Sequence, residues 1–214
     1  MICQDFVTEY IRNTIKKDEG FLLKLRDYAQ EFNIPIVQPE TARLLEVLCH
    51  ISRPRRVLEI GTALGYSAIL MAHALGDEGS IDTIDRSYDM TEKAKYNIRQ
   101  AELEKRINVI TGDALDVLKC LEKKYDFIFL DASKGHYLEL LPDILRLLQT
   151  GGVLVSDNVL YKGMIASDDL VIRRKNTIVR RMRDYLDAIC SSRILSTSII
   201  PIGDGVAISC KISD

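Results

Sequence analysis

The chain begins with amphipathic stretches. Phe6, Tyr10 and Ile15 recur at roughly helical spacing, and Phe21, Leu22, Leu25, Tyr28, Ala29 and Phe32 continue the pattern. Asn33-Ile34-Pro35 interrupts it, because proline disfavours the helical state of the residue before it. After Pro39, Glu40-Thr41-Ala42-Arg43 opens a third helix carrying Leu44, Leu45, Val47 and Leu48. Residues 1–52 therefore predict three helices ahead of the first strand, serving as a cover over a pocket or as a subunit interface.

From Arg55 onward short apolar runs alternate with helical ones, the mark of a mainly parallel sheet with helices on both faces. The pattern predicts strands at about 56–60, 81–85, 107–111, 126–130 and 152–156. Helices fall between them at about 65–75, 88–101, 114–121 and 135–148, with Gly151-Gly152 as a turn into the fifth strand. A long helical stretch (about 169–190) is followed by strands at about 193–200 and 205–212 around Pro201-Ile202-Gly203-Asp204-Gly205. Two strands this close in sequence pair antiparallel, since a parallel pair needs a long crossover. No repeat or linker divides the chain, so a single domain spanning 1–214 is expected, with N-terminal helices (1–52) ahead of an α/β core (53–214).

Composition narrows the class. With 214 residues the chain is long enough to bury a substantial core, and a net charge of -2 excludes a polycation, so any nucleic-acid affinity must come from a local patch. Five cysteines (Cys3, Cys49, Cys120, Cys190, Cys210) are scattered without a Cys-x-x-Cys pair, which argues for a reducing compartment. There is no basic-then-apolar leader and no apolar run approaching the roughly 18 residues of a membrane span. The expectation is a soluble cytoplasmic protein.

The first strand runs straight into glycines, Arg55-Arg-Val-Leu-Glu-Ile-Gly-Thr-Ala-Leu-Gly65, the strand-to-helix hinge of a nucleotide-binding unit. Gly61 permits a tight turn and Gly65 lets the next helix start close to the strand. Ala63 stands where a dinucleotide site has the glycine that admits a pyrophosphate. A ligand with an adenosine and no pyrophosphate fits better, and S-adenosylmethionine is one.

Ligands of open α/β sheets bind beyond the carboxyl ends of the strands. There the chain supplies Glu59 and Gly61, then Asp85, Gly112-Asp113-Ala114, Asp131-Ala-Ser-Lys134 and Ser156-Asp157-Asn158. Asp85 suits the ribose hydroxyls, at about 1.5–3 kcal/mol per charge-assisted bond, or it caps the next helix. Asp131, Asp157 and Asn158 are hard oxygen donors at adjacent strand ends, fitting Mg²⁺ or Ca²⁺, though each alone reads as a cap or a solvated turn. Lys134 is either a solvated lysine at a helix start or a base near a metal.

The segment Ile172–Arg183 holds six basic residues in twelve: Arg173, Arg174, Lys175, Arg180, Arg181 and Arg183. Its apolar residues Ile178, Met182, Tyr185, Leu186 and Ile189 share one helical face. The cations form either a solvated face or a phosphate-contacting ridge, and no acid lies between Ile172 and Met182 to neutralise them locally.

Taken together, Glu59-Ile-Gly-Thr-Ala-Leu-Gly-Tyr-Ser67, Phe127-Ile-Phe-Leu-Asp-Ala-Ser-Lys134, Asp157-Asn158 and Gly203-Asp-Gly205 resemble the cation-dependent O-methyltransferases, which include catechol and caffeoyl-CoA enzymes. The resemblance covers about residues 35–212. It implies a Rossmann-like seven-stranded S-adenosylmethionine methyltransferase sheet with a C-terminal antiparallel hairpin. It also implies Asp131, Asp157 and Asn158 as metal ligands, Lys134 with Asp131 at the catalytic centre, and a homodimer. Val37, Glu59, Gly61, Ser67, Asp85, Ala114 and Asp131 match cofactor-contacting positions. Within the family, Asp157-Asn-Val-Leu and Arg180-Arg-Met-Arg-Asp-Tyr-Leu186 look most like bacterial tRNA 5-hydroxyuridine methyltransferases, which act at the wobble position.

The chemistry agrees. The transferred methyl is attacked in line by an oxygen, and a divalent cation lowers the pKa of that oxygen. Catechol offers two vicinal oxygens, and so does 5-hydroxyuridine through its 5-hydroxyl and 4-carbonyl. The basic segment would then hold anticodon-loop phosphates. The competing readings are a methyltransferase of small catechol-like phenols or hydroxycinnamoyl thioesters, and a non-catalytic RNA-binding protein of the same fold.

Overall fold

The computed structural model describes residues 3–214. Three helices come first: α1 (Asp5–Thr14), α2 (Gly20–Glu31) and α3 (Pro39–Ser52). Strands and helices then alternate: β1 (Arg56–Ile60), α4 (Tyr66–Ala74), β2 (Ser80–Asp85), α5 (Tyr88–Gln100), β3 (Ile107–Thr111), α6 (Ala114–Cys120), β4 (Tyr125–Leu130), α7 (Tyr137–Leu147) and β5 (Leu148–Asp157). Helix α8 (Asn176–Cys190) and the strands β6 (Leu195–Ile200) and β7 (Val206–Lys211) complete the chain.

The strands form one seven-stranded sheet in the order β3-β2-β1-β4-β5-β7-β6. Strands β1 to β5 are parallel, and β7 pairs antiparallel with both β5 and β6, as the expected hairpin requires. Both sheet faces are buried. Val57, Phe127, Phe129 and Val155 pack toward α3 and α4, whereas Leu58, Ile60, Ile128, Leu130 and Leu154 pack toward α7 and α8. This period-two alternation of apolar residues on both faces explains why the central strands read as continuous apolar runs.

Three expectations are corrected. Gly151 and Gly152 do not precede the fifth strand; they lie inside β5, at a break in register against β4 where Tyr125 pairs with Leu148 but Phe127 with Val153. Gly151 takes a φ of 83°, which suits the bulge. The long helix starts at Asn176, not near 169; before it come two 3₁₀ turns, Asp168–Leu170 and Arg173–Lys175. Three cations at a helix N-terminus oppose the helix dipole, which disfavours extending α8 back through them. Gly65 has a φ of 79°, and a side chain there would meet Ala94 only at ordinary van der Waals distance. The backbone angle, not close helix packing, is what requires that glycine.

Gly61 is different. The order of the sheet reverses between β1 and β4, so the chain leaving β1 turns directly beneath the start of the loop after β4. A Cβ on Gly61 would sit 2.1 Å from the carbonyl oxygen of Asp131. Backbone, not a flexible side chain, is in the way, so no rotamer change relieves the overlap. Gly61→Ala should therefore destabilise the protein by at least about 2 kcal/mol, read as a lower urea midpoint at unchanged slope.

Candidate active site

The carboxyl ends of β1, β2, β4 and β5 open into a cavity of about 1280 Å³. Val37, Gly61, Asp85, Ala114, Asp131, Lys134, Asp157 and Asn158 all line it. Glu59 and Ser67 do not. Both are buried behind the glycine turn, because β1's alternation sends Glu59 to the face covered by α4, whose first turn holds Ser67. The Thr83 hydroxyl donates to Glu59 Oε2 at 2.5 Å, while Oε1 finds no hydrogen-bond partner among the described residues. Burial pushes the Glu59 pKa up to about 8, against the opposing pull of the Ser67 and Thr83 hydroxyls.

Asp85 does two jobs. Its Oδ2 accepts from the backbone N–H groups of Thr62 (3.2 Å) and Ala63 (3.0 Å), so it staples the glycine turn to β2. Its Oδ1 accepts from Ser87 N at 2.9 Å, just ahead of α5. A carboxylate has about four lone-pair sites, so capacity remains on the cavity side. Ala63 itself has a φ of 43°, an unusual angle for a residue with a side chain, held by this bond. Ala114 starts α6, which is capped by the Asp113 side chain accepting from Leu115 N at 2.9 Å.

Asp131 and Asp157 stand at the ends of β4 and β5. Asp157 is 2% exposed and accepts a 2.7 Å hydrogen bond from Asn158 N, and Asn158 takes a φ of 58°. Among the described residues neither carboxylate has a salt-bridge partner. Burial raises the pKa of both, and the charge of Asp131 raises that of Asp157 further, with Lys134 pulling both down. With Asp157 buried, Asp131 half-buried and each raising the other's cost of ionising, a cation bound between them would offset that cost. Carboxylate and amide oxygens are the donor set of Mg²⁺ or Ca²⁺, so these residues fit a hard divalent ion. Among the described residues no group of three or more His, Cys, Asp or Glu side chains offers another metal site. Lys134 lies in the 3₁₀ turn Lys134–His136 ahead of α7 and faces the same cavity.

The N-terminal helices also line the cavity, through Thr8, Arg12, Arg26, Gln38 and Glu40, so they cover it. Helices α2 and α3 pack Leu25, Ala42, Leu45 and Cys49 into the core, whereas α1 buries no residue, and polar bonds add to the attachment of all three. Arg12 donates to Glu40 (2.9 and 3.0 Å) and Gln38 (2.8 Å). Asp18, in the loop before α2, accepts from Arg26 (2.5 Å), Arg43 (2.7 Å) and the Tyr66 hydroxyl (2.7 Å). Burial alone would raise the Asp18 pKa, but the bonds from Arg26 and Tyr66 and the two arginine charges outweigh it and hold it below the ordinary range. Arg26 also lies over the Tyr66 ring at 4.7 Å and donates to Val37 O at 3.2 Å. Sequence reasoning missed Arg12, Arg26 and Asp18; isolated charges on amphipathic helices carry no signal of what they will meet.

The basic segment divides. Arg181 donates to Gly135 O at 2.9 Å and pairs with Glu139 at 3.2 Å. Arg183 donates to Ile165 O (3.0 Å) and Met164 O (3.2 Å) and pairs with Asp168 at 2.8 Å. These two hold loops; no acid within the segment neutralises it, but Glu139 and Asp168 from outside it do so in part. Arg173, Arg174 and Arg180 are exposed and, among the described residues, form no ion pair. Lys175 lies over the Tyr161 ring at 5.7 Å. On α8 itself Val179 joins Met182, Tyr185, Leu186 and Ile189 in the buried face, and Ile178 is only half-buried.

Comparison with known proteins identifies the family. The O-methyltransferase family model matches residues 13–212. A catechol O-methyltransferase of Niastella koreensis is 31% identical, over 76% of this chain and 76% of its own length. Caffeoyl-CoA O-methyltransferase 3 of Nicotiana tabacum is 31% identical over 100% of this chain and 93% of its own. The structure of an O-methyltransferase from Bacillus cereus in complex with SAH superposes with a TM-score of 0.85 at 28% identity, covering 96% of this chain and 97% of that one. Sheet order, glycine turn and matched residues agree, and the chain belongs to the S-adenosylmethionine-dependent O-methyltransferase family.

Proposed function

We propose that the chain methylates the 5-hydroxyl of 5-hydroxyuridine at the wobble position of tRNA, giving 5-methoxyuridine, with S-adenosylmethionine as donor and Mg²⁺ as the divalent cation. The observation that carries this reading is the cluster of exposed cations beside the cavity. Arg181 bonds Gly135, the neighbour of Lys134, and Lys175 approaches Tyr161, the neighbour of cavity-lining Lys162. Arg180 is the chain neighbour of Arg181, and Arg173 and Arg174 precede Lys175; in this reading they contact the anticodon-loop phosphates of an acceptor held in the cavity. A small phenol has no use for them. In this reading the protein works in the cytoplasm, and the five free cysteines are in keeping with a reducing compartment. No helix among the described residues is long and apolar enough to cross a membrane.

The residues take these roles. Asp85 accepts from the ribose hydroxyls of the donor with its remaining lone pairs, while Val37, Gly61 and Ala114 shape the walls around it. Glu59 and Ser67 act from behind, supporting the turn. Asp131, Asp157 and Asn158 hold the cation, which when bound supplies charge stabilisation to an ionising hydroxyl. Lys134 takes the proton of the acceptor hydroxyl. A second reading, methylation of small catechol-like phenols or hydroxycinnamoyl-CoA, is favoured by the names of the curated relatives.

Labelled methyl transfer to tRNA carrying 5-hydroxyuridine should exceed transfer to catechol and should vanish with EDTA. Label confined to catechol would give the small-phenol reading precedence. Charge reversal at Arg173, Arg174 and Arg180 should weaken tRNA binding and lower its salt slope by about one for each phosphate no longer neutralised, leaving any catechol turnover unchanged. An unaltered slope would remove the phosphate role. The exposed Phe6 and Tyr10 on α1, 69% and 72% accessible, and Val47 and Ile51 on α3 support a homodimer. Light scattering should therefore return twice the 24.2 kDa chain mass.

A further inference from the structure

Strands β4 and β5 run as a parallel ladder whose last pair is Leu130 with Ser156. The next residues on each strand are Asp131 and Asp157. At the point where the two carboxylates must be held at a working separation, the β4–β5 ladder has ended. Asp131 N turns away to Ile60 O at 2.9 Å, and Asp157 pairs with Val206 of β7.

One buried group bridges the gap. The Tyr137 side chain is fully buried, and its hydroxyl lies 3.1 Å from Leu130 O and 3.0 Å from Asp157 O. A phenol has a single proton, so the two carbonyls share it in a three-centre bond. The ring is fixed from below by Tyr185, edge-on with centroids 5.4 Å apart, and the Tyr185 hydroxyl in turn meets Ser156 Oγ at 2.6 Å. Tyr137 opens α7 three residues after Lys134, so the segment that brings the lysine to the cavity also brings this clamp.

We infer that Tyr137 is a positioning residue whose hydroxyl, bound to the Leu130 and Asp157 carbonyls, sets the separation of the Asp131 and Asp157 carboxylates and so sets the affinity for the divalent cation. The inference rests on the reading that Asp131, Asp157 and Asn158 hold that cation. Groups that orient ligands from outside typically contribute roughly 10–100-fold to metal affinity.

The test is calorimetric titration of Mg²⁺, and separately of S-adenosylmethionine, into the full chain. Tyr137→Phe should weaken Mg²⁺ binding about tenfold or more and leave S-adenosylmethionine affinity unchanged. Tyr185→Phe, which deletes the neighbouring buried hydroxyl, should leave both unchanged. Wild-type Mg²⁺ affinity in Tyr137→Phe, alongside its loss in Asp157→Asn, would overturn the clamp and keep the cation site. Equal losses in Tyr137→Phe and Tyr185→Phe would reduce Tyr137 to a packing role and overturn it too. Mg²⁺ binding untouched by both Asp131→Asn and Asp157→Asn would remove the cation reading itself, and the clamp with it.

Discussion

The backbone of Gly61 passes so close to the carbonyl of Asp131 that the rest of the site is arranged around that approach. Strand β1 pairs with β2 on one side and β4 on the other, and the chain leaving it passes against the start of the β4 loop. Gly61 N bonds Ile84 O and Asp131 N bonds Ile60 O, both at 2.9 Å, so the turn is tied to both neighbours at once. This leaves the Thr62 and Ala63 N–H groups facing Asp85, which accepts both. The same turn fixes where Asp131 enters the cavity. Donor side and acceptor side thus share one rigid piece of backbone, which suits a reaction that needs its two partners in line.

The cover over this site is built on different physics. Helix α1 buries no residue fully, and it is held largely by Arg12 against the buried Glu40 and the exposed Gln38. Helix α2 is anchored through Arg26 and Asp18 to Tyr66, the first residue of the helix that follows the glycine turn, and also buries Leu25 and Ala29. Partly buried, charge-assisted bonds of this kind are directional and each is worth more than a surface ion pair, yet they bury little apolar area. Helix α1, fastened this way without a fully buried residue, opens at lower free energy than the sheet, as an element that must admit and release a ligand should.

The arginines after Ile172 serve two ends. Arg181 and Arg183 reach back to backbone carbonyls of the loops that frame the cavity, while Arg173, Arg174 and Arg180 face solvent. The segment from the Arg173–Lys175 turn through α8 therefore carries a buried apolar face, a loop-holding edge and exposed cations, the last split between the turn and the helix.

Much of this was legible in the chain. Short runs rich in apolar and β-branched residues, bounded by glycine or charged residues, located β1 to β4 closely, because strands buried on both faces need apolar residues. The short Pro-Gly segment made the antiparallel hairpin unavoidable. The strand-end rule gathered Asp85, Asp131, Asp157 and Asn158 on one edge, since parallel strands point all their carboxyl ends the same way. Local pattern could not show what depends on contacts between distant segments. Whether Glu59 lines a cavity or lies behind it, whether Arg181 is free or bound, and what Asp18 pairs with are decided by residues tens of positions away. The role of Tyr137 is of the same kind: a tyrosine in an apolar helix reads as core, and only the ending of the β4–β5 ladder beside its hydroxyl gives that hydroxyl a task.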